Sequence, residues 1–484
     1  MMEKDSRLNR FVELMSTNIS DSDLELVNLG QSLGLDLVLF TDLRNSQEEE
    51  FADKIREKAQ RKMKKPGDDR LKQNDLFYAG SIDFMVCDTP QGKKFFLLET
   101  NGGSNRGLSI LTEKQQAIMY DGYYRAIKQA IQGNLRGDHK VLVLIGVPIG
   151  DGLIHEKVIM LEYLRKRLKK TGKIVGVENV DTFNTNFEED VCFLIADYKQ
   201  LSTRLSFSEN WVTFKDSPVS VLIGDGIARR LHEEEFQKLI ETNFREINSI
   251  IVNPIYKITD DKSLTYLASY FAKDALKKYN LKYLLFTKAY DEEELIKKLD
   301  YVIKNYERPF IIKPNGGSGG AGVIPIASNE DPANLKNIIK KSKKEFFAKF
   351  MKNRNPYPYT IQEMAKFSLI DWRHGKHTFD IRIYLSQKEE NIITPIGGLA
   401  RIARGNYSGS LDKEEFVVNL SGFDGQIEVE RGRGLSNENA ELLNLTEEDF
   451  INIFSIGCVM FKTIAENYQK IIEFKDWGKI IGEE

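Results

Sequence analysis

The sequence predicts an α/β protein in which an open parallel-sheet unit precedes a mixed, strand-rich region. Three stretches carry that prediction. KVLVLIGVPIG (140–150) is a continuous apolar run ending in glycine turns, the pattern of a strand buried on both faces, and helices and strands alternate after it. RPFIIKPNGGSGGAGV (308–323) sends a strand into a lysine and then five glycines within nine residues. FFLLETNGGSNRG (95–107) ends an apolar strand in Glu99-x-Asn101 and a glycine turn.

Each element follows from local pattern. Residues 1–138 begin mostly as helix: Asp21-Ser22-Asp23 is a cap signal, and EEEFADKIREKAQRKMKK (48–65) is charged and amphipathic. AGSIDFMVCDTPQGKKFFLLETN (79–101) reads as strand, turn at Thr89-Pro90-Gln91-Gly92, and strand, hence a hairpin. Residues 111–132 return to helix. Residues 139–250 form the α/β unit, with the helix HEKVIMLEYLRKRLKK and the strands KIVGVENV, VCFLIADY and VSVLIGDG after the first strand. Residues 251–345 hold the helix SLTYLASYFAKDALKKY, the strand YLLFTK, a further helix and the glycine loop. Residues 346–484 are strand-rich from 359 to 430 and close on the helix TEEDFINIFSIGCVMFKTIAENYQK.

Composition narrows the class. At 484 residues the chain has room for about three domains of ~150 residues. Lys and Arg number 69 against 72 Asp and Glu, so no basic excess marks a nucleic-acid binder. The cysteines Cys87, Cys192 and Cys458 are too few and too scattered for a disulfide framework or a zinc cluster, which fits a reducing, cytoplasmic setting. The first 21 residues carry charge throughout and hold no signal-peptide core, and no apolar run approaches the ~18 residues of a membrane span. No membrane partner is expected.

The chemistry-bearing segments are spread along the chain. Glu99 and Asn101, two apart on an extended segment, face the same way, and a pair of oxygen ligands beside phosphates suits Mg²⁺. In the glycine loop, Gly316, Gly317, Ser318, Gly319 and Gly320 let backbone N–H groups turn toward phosphate oxygens, while Lys313 adds a point charge. A Walker loop is excluded because the lysine precedes the glycines. YTIQEMAKF (359–367) places Gln362 and Glu363 at a strand end, as an adenine hinge would. Glu363 would accept from the adenine amino group, with backbone groups of Met364 and Ala365 on the ring. An exposed edge is the plainer alternative. HTFDIRIYL (377–385) puts Asp380 and Arg382 on one strand face, IGGLARIARG (396–405) supplies Arg401 and Arg404, and EEFVVNLSG (414–422) supplies Asn419. Arginines beside a phosphate loop stabilise developing charge. The five histidines show no metal spacing, and no nucleophilic Ser or Cys stands out.

This order of motifs resembles the ATP-grasp superfamily of carboxylate–amine ligases. In that family a lysine-and-glycine loop, a Gln-Glu hinge, an Asp-Ile-Arg strand, an arginine strand and an Asn-Leu turn are followed by a helix, then an Asp strand and a Glu-x-Asn strand. Here the last two come first, as Asp83 in SIDFMV and Glu99 and Asn101 in FLLETN. The resemblance therefore implies a circularly permuted ATP-grasp fold with a preceding open α/β substrate domain, an arrangement similar to that of eukaryotic glutathione synthetase. The 1–138 hairpin would complete the ATP-grasp sheet, 139–250 would be the substrate domain, and 251–345 and 346–484 the two ATP-grasp lobes. Lys262 in DDKSL fits the family's first phosphate lysine. Asp83, Glu99 and Asn101 would hold two Mg²⁺ ions against ATP, Asp380 or Asp371 would meet the ribose, and Arg382, Arg401, Arg404 and Asn419 would serve catalysis.

The implied reaction is ATP-dependent amide formation through an acyl phosphate, on an amino acid or short peptide. Ser104, Asn105 and Arg106 in the turn after the metal strand, with Arg229 after VSVLIGDG, are candidates to bind a substrate carboxylate. Shaping the turn is the alternative for the first three. A homodimer is compatible with this reading. A small-molecule kinase on the same fold and a non-catalytic ATP-binding protein are its rivals.

Overall fold

The computed structural model describes residues 21–33, 47–65, 67–72, 76–102, 105–147, 154–178, 180–197, 200–201, 204–224, 236–317, 319–350, 354–389, 391–410, 412–420 and 428–483. Helix α1 (Asp21–Ser32) takes Asp21-Ser22-Asp23 as its first turn. Helix α2 (Glu49–Lys64) buries Phe51, Ile55, Ala59 and Met63, one residue per turn on a single face. Strands β1 (Ala79–Thr89) and β2 (Gly92–Asn101) form the expected hairpin. Gly92 sits at φ +99°, a left-handed conformation a Cβ would strain, and this closes the turn. Helix α3 (Glu113–Gln132) starts on a reciprocal cap between Thr112 and Gln115.

Strand β3 (Val141–Val147) explains why its sequence is apolar throughout. All seven residues are buried, and alternation sends Val143 and Ile145 to one core and Leu142 and Leu144 to another. Helix α4 (Ile154–Lys169) covers one face. Strands β4 (Val175–Glu178), β5 (Val191–Asp197), β9 (Val221–Gly224) and β10 (Ile250–Val252) join β3 in a parallel sheet of order β10-β9-β3-β5-β4. Between them β6 (Leu205–Ser208), β7 (Trp211–Phe214) and β8 (Ser217–Pro218) make a small antiparallel meander that the sequence did not announce. The boundary expected at 250–251 falls inside β10, which pairs with β9 and so belongs to the parallel sheet.

Helix α5 (Lys262–Phe271), capped by Asp261, leads into a second sheet. Strand β11 (Phe286–Ala289), helix α6 (Glu292–Asn305), β12 (Phe310–Pro314), β13 (Ile324–Ile326), helix α7 (Leu335–Lys349) and β14 (Tyr359–Glu363) build it in the order β11-β14-β12-β13. Ile312 and Ile361 turn to the helices behind, among Leu295, Leu299, Leu335 and Ile339. The opposite face shows Lys288, Lys313, Thr360 and Gln362.

The third sheet joins the two ends of the chain. Strands β16 (Gly375–Glu389), β17 (Ile392–Ile402) and β18 (Gly432–Gly434) continue into the early hairpin in the order β18-β17-β16-β1-β2, with β15 (Leu369–Trp372) flanking β16. β1 pairs antiparallel with β16, placing Asp83 opposite Arg382 and Met85 opposite Asp380. Helix α8 (Glu447–Glu466) lies buried across this sheet, with the Phe461 ring tilted against Phe77 at 4.4 Å and Phe450 edge-on to Phe51 at 5.8 Å.

Candidate functional site

Lys313 is the last residue but one of β12 and is 8% exposed, so the chain has buried a cation. Its ammonium donates to the Tyr266 hydroxyl at 2.8 Å and to Gln362 Oε1 at 2.6 Å. Burial first, and then the nearby Lys262, push its pKa down to about 7, with Glu99 pulling the other way. Beyond it, Gly316, Gly319, Gly320 and Gly322 all take positive φ. A Cβ on Gly319 would stand 2.5 Å from Lys349 Nζ and 3.0 Å from Asn419 Nδ2. The loop tip is therefore pressed between α7 and the Asn419 segment. Lys413 also reaches it, donating to the Gly320 carbonyl at 3.1 Å while pairing with Glu345. Neither Lys349 nor Lys413 carries a sequence signal; only the fold brings them to the loop.

Helix α5 links the loop to the hairpin. Lys262 Nζ pairs with Glu99 Oε2 at 3.1 Å and donates to the Gly317 carbonyl at 3.3 Å. Glu99 thus lies within one side chain of the glycine loop, although 218 positions separate it from Gly317 in the sequence. Glu99 keeps a third of its side chain exposed, and the Asn101 side-chain amide nitrogen is buried without a partner. Among the described residues no group of three His, Cys, Asp or Glu side chains could hold a metal ion.

Asp83 does not stand open as a ligand. Arg382 grips it through two bonds of 2.7 Å, and Arg401 adds a third at 2.7 Å. Burial opposes its ionisation, but the two guanidiniums outweigh that and hold the carboxyl well below the ordinary range. Asp380, expected at the ribose, is also buried and turned to Arg401, with one bond of 2.8 Å. Burial pushes its pKa up to about 6 against the pull of Arg401. Two acids and two arginines thus form one neutral, closed set, so the expected ligand and ribose roles give way to ion pairing in this arrangement. Asp371 is exposed and paired with Lys376 at 2.7 Å. Arg404 pairs with Glu428 at 3.0 Å rather than joining the set.

The hinge residues divide by strand alternation. Gln362 faces Lys313. Glu363 points the other way, accepting from Leu285 N at 3.1 Å and from Arg308 at 2.7 Å, and the Met364 N–H donates to Pro309 O at 2.9 Å. The Glu363 carboxylate and the Met364 N–H, two of the groups expected on adenine, are thus engaged elsewhere. Ile311, Met364 and Phe416, with Val323, Phe367 and Val417 against them, form an apolar cluster beside the loop.

The turn after β2 is built inward. Asn105 is fully buried and donates to the Tyr123 hydroxyl at 2.6 Å, so it shapes the turn instead of reaching a substrate. Arg106 lends its carbonyl to Arg382 at 3.2 Å and to Tyr384 at 2.6 Å. The buried Glu156 of α4, which the sequence did not single out, accepts from Gly107 N, Ser109 N and Ser109 Oγ at 2.7–2.9 Å. Ser104, Arg229 and Ser318 lie outside the described residues.

Residues 273–421 match the model of the YheC/D-like ATP-grasp family. The chain carries an ATP-grasp domain. Lys262 and the early hairpin lie outside the matched segment, yet β1 pairs with β16 inside it and Lys262 reaches the Gly317 carbonyl of its loop. A comparison with curated protein sequences finds no match. Among solved structures, similarity extends to a glutathione synthetase-like effector, GSS30, from Globodera pallida. It is 13% identical with a TM-score of 0.37, covering 80% of this chain and 87% of that one. It extends also to D-alanyl-alanine synthetase A from Vibrio cholerae (9% identical, TM-score 0.27, covering 67% and 99%) and to the D-cycloserine synthetase DcsG (11% identical, TM-score 0.24, covering 67% and 99%). At these scores the similarities carry nothing about substrate. The geometry around the loop fits a polyphosphate: a cradle of positive-φ glycines, two lysines beside it, and a part-exposed carboxylate paired with Lys262, with a buried, unpartnered amide nitrogen two residues on.

Proposed function

We propose that this ATP-grasp protein is an ATP-dependent, ADP-forming carbon–nitrogen ligase acting on an amino acid or short peptide. The observation that carries the reading is the Lys262–Glu99 contact, which brings a metal-type carboxylate to the glycine loop beside Lys313. Lys262 and Lys313 would hold the phosphates, and the Ile311–Met364–Phe416 cluster is an apolar surface on which adenine could lie. Glu99 and Asn101 would hold Mg²⁺, which when bound neutralises charge between phosphates. A substrate carboxylate oxygen attacks the γ-phosphorus and ADP leaves, giving an acyl phosphate. An amine then attacks the acyl carbon, loses a proton and expels phosphate. The chain supplies position and charge: Lys262 and Lys313 bring the positive charge, while Arg382 and Arg401, neutralised by Asp83 and Asp380, form a fixed polar wall beside Glu99, with Arg382 4.0 Å from it.

A circular permutation accounts for the order of the motifs. It is supported by the meeting of the two chain regions it would join: Leu71 and Leu76 line one cleft with Ala465, Tyr468 and Gln469. A cytoplasmic setting accords with the three buried free cysteines, and among the described residues no helix is long and apolar enough to cross a membrane. The test is to offer amino acids and dipeptides with ATP and hydroxylamine. Conversion of one acid to its hydroxamate, with ADP and phosphate released, requires an acyl phosphate. A stable phosphorylated product would instead make the protein a kinase.

A further inference from the structure

The β1–β2 pairing slips between Asp83 and Phe84: Asp83 opposes Glu99, Phe84 opposes Leu97, and Leu98 has no partner. Such a bulge re-aims the neighbouring side chain and releases a backbone group from the ladder. The Leu98 carbonyl is taken by the Tyr266 hydroxyl, and that same oxygen accepts from Lys313 at 2.8 Å. A phenol has one proton. Because it goes to Leu98, the lone pairs turn to Lys313, and the chain Lys313 → Tyr266 → Leu98 has one direction. Tyr266 is 3% exposed and sits one turn beyond Lys262, so α5 touches the bulge twice: Lys262 on the Glu99 carboxylate and Tyr266 on the Leu98 backbone. Lys313 has three N–H bonds, and Tyr266 and Gln362 take two of them. The third is the one a phosphate oxygen would receive, and its aim is set by the other two.

We infer that Tyr266 is a positioning residue that couples the metal strand to the phosphate lysine, so that ordering the Glu99 bulge aims Lys313 and metal and nucleotide bind cooperatively. This rests on the proposed ATP site and adds to it a specific route of coupling. The bulge has two neighbours that respond to a charge at Glu99. Lys262 responds through its own charge, and Lys313 responds through the Tyr266 hydroxyl in addition to the direct pull of Glu99 on its charge.

The test compares ATP affinity in Mg²⁺ with affinity in EDTA by calorimetry, using the whole chain. The ratio is the gain due to metal, and by linkage it equals the gain in metal affinity due to ATP. Tyr266→Phe keeps the ring, which packs edge-on to Phe286, and removes only the relay oxygen. The gain is expected to shrink by roughly threefold to tenfold, the worth of one neutral hydrogen bond such as that from Tyr266 to Leu98, through which the bulge is read. Gln362→Leu removes the other partner of Lys313, which does not touch the bulge. It should weaken ATP binding in both media and leave the gain unchanged, an outcome a merely structural Tyr266 would not separate. Tyr266→Met is a second route and must give the same shrunken gain. An unchanged gain in a folded Tyr266 variant overturns the inference. If Lys313→Ala leaves ATP affinity unchanged, the ATP site itself is misread; weakening in Lys313→Ala with an intact gain in Tyr266→Phe overturns only the coupling.

Discussion

Replacing Lys313 by Met keeps most of the side-chain volume and removes the charge. In the structure that charge is surrounded by two neutral partners and another lysine, and its pKa is pushed down to about 7. A charge-assisted bond to a phosphate contributes about 1.5–3 kcal/mol, so ATP affinity should fall tenfold to roughly a hundredfold. The depressed pKa adds a second signature. ATP favours the protonated ammonium, so binding above pH 7 draws a proton from solution. At pH 8, a group titrating near 7 is about 0.9 deprotonated, and uptake approaches that number. Calorimetry in two buffers of different ionisation enthalpy reads it as the difference between wild type and Lys313→Met; the wild type should take up more protons at pH 8, and that excess should fade below pH 6. The sign for folding runs the other way. A lysine whose folded pKa lies below its unfolded value of about 10.4 burdens the fold fully below pH 7, and the burden fades as pH rises toward 10. The variant should therefore gain thermal stability on the wild type at pH 6 more than at pH 10. Unchanged ATP affinity, or a proton released on binding, would refute the placement of Lys313.

Other outcomes follow from the same geometry. Asp83→Asn strips the shared counter-ion from two largely buried arginines and should destabilise the fold by about 3–5 kcal/mol in urea denaturation, whereas Glu99→Gln, at a part-exposed carboxylate, should unfold at nearly the wild-type midpoint. A loss of stability from Glu99→Gln as large as that from Asp83→Asn would contradict the division of roles. Gly319→Ala forces a Cβ against Lys349 and Asn419 at φ +58° and should weaken ATP binding at least tenfold with circular dichroism unchanged. Glu363→Gln, whose side chain faces Arg308 and Leu285, should leave the preference for ATP over GTP as it is; a lost preference restores the adenine-hinge reading.

The sequence carried the frame because the frame rests on patterns read locally. The apolar run at β3 is uninterrupted because both of its faces are buried, and the hairpin at β1–β2 is set by a turn that needs Gly92. Motif order placed that hairpin in the sheet of the C-terminal lobe, and the structure pairs it with β16 in a register that puts Asp83 opposite Arg382. The site was legible in outline only. Strand alternation already implied that Gln362 and Glu363 point to opposite faces, so a two-residue hinge could not face one ligand. The partners of Asp83 and Asp380 depend on which rotamers two arginines take across β16 and β17, and no spacing encodes that. Tyr266 did leave a trace, lying four residues after Lys262 on a helix. Glu156 left none, since its role depends on how α4 packs against a turn 47 residues earlier.

The central claim is that a hairpin near the beginning of the chain and a glycine loop more than two hundred residues later form one nucleotide–metal site. Iron-directed cleavage tests it without knowledge of the substrate. Fe²⁺ replaces Mg²⁺ in the complex with ATP, ascorbate and peroxide generate radicals at the metal, and the cut positions are read by mass spectrometry. The account predicts ATP-dependent cuts both at residues 97–102 and at the loop, 316–322. Cuts at the loop with none in the hairpin would contradict it.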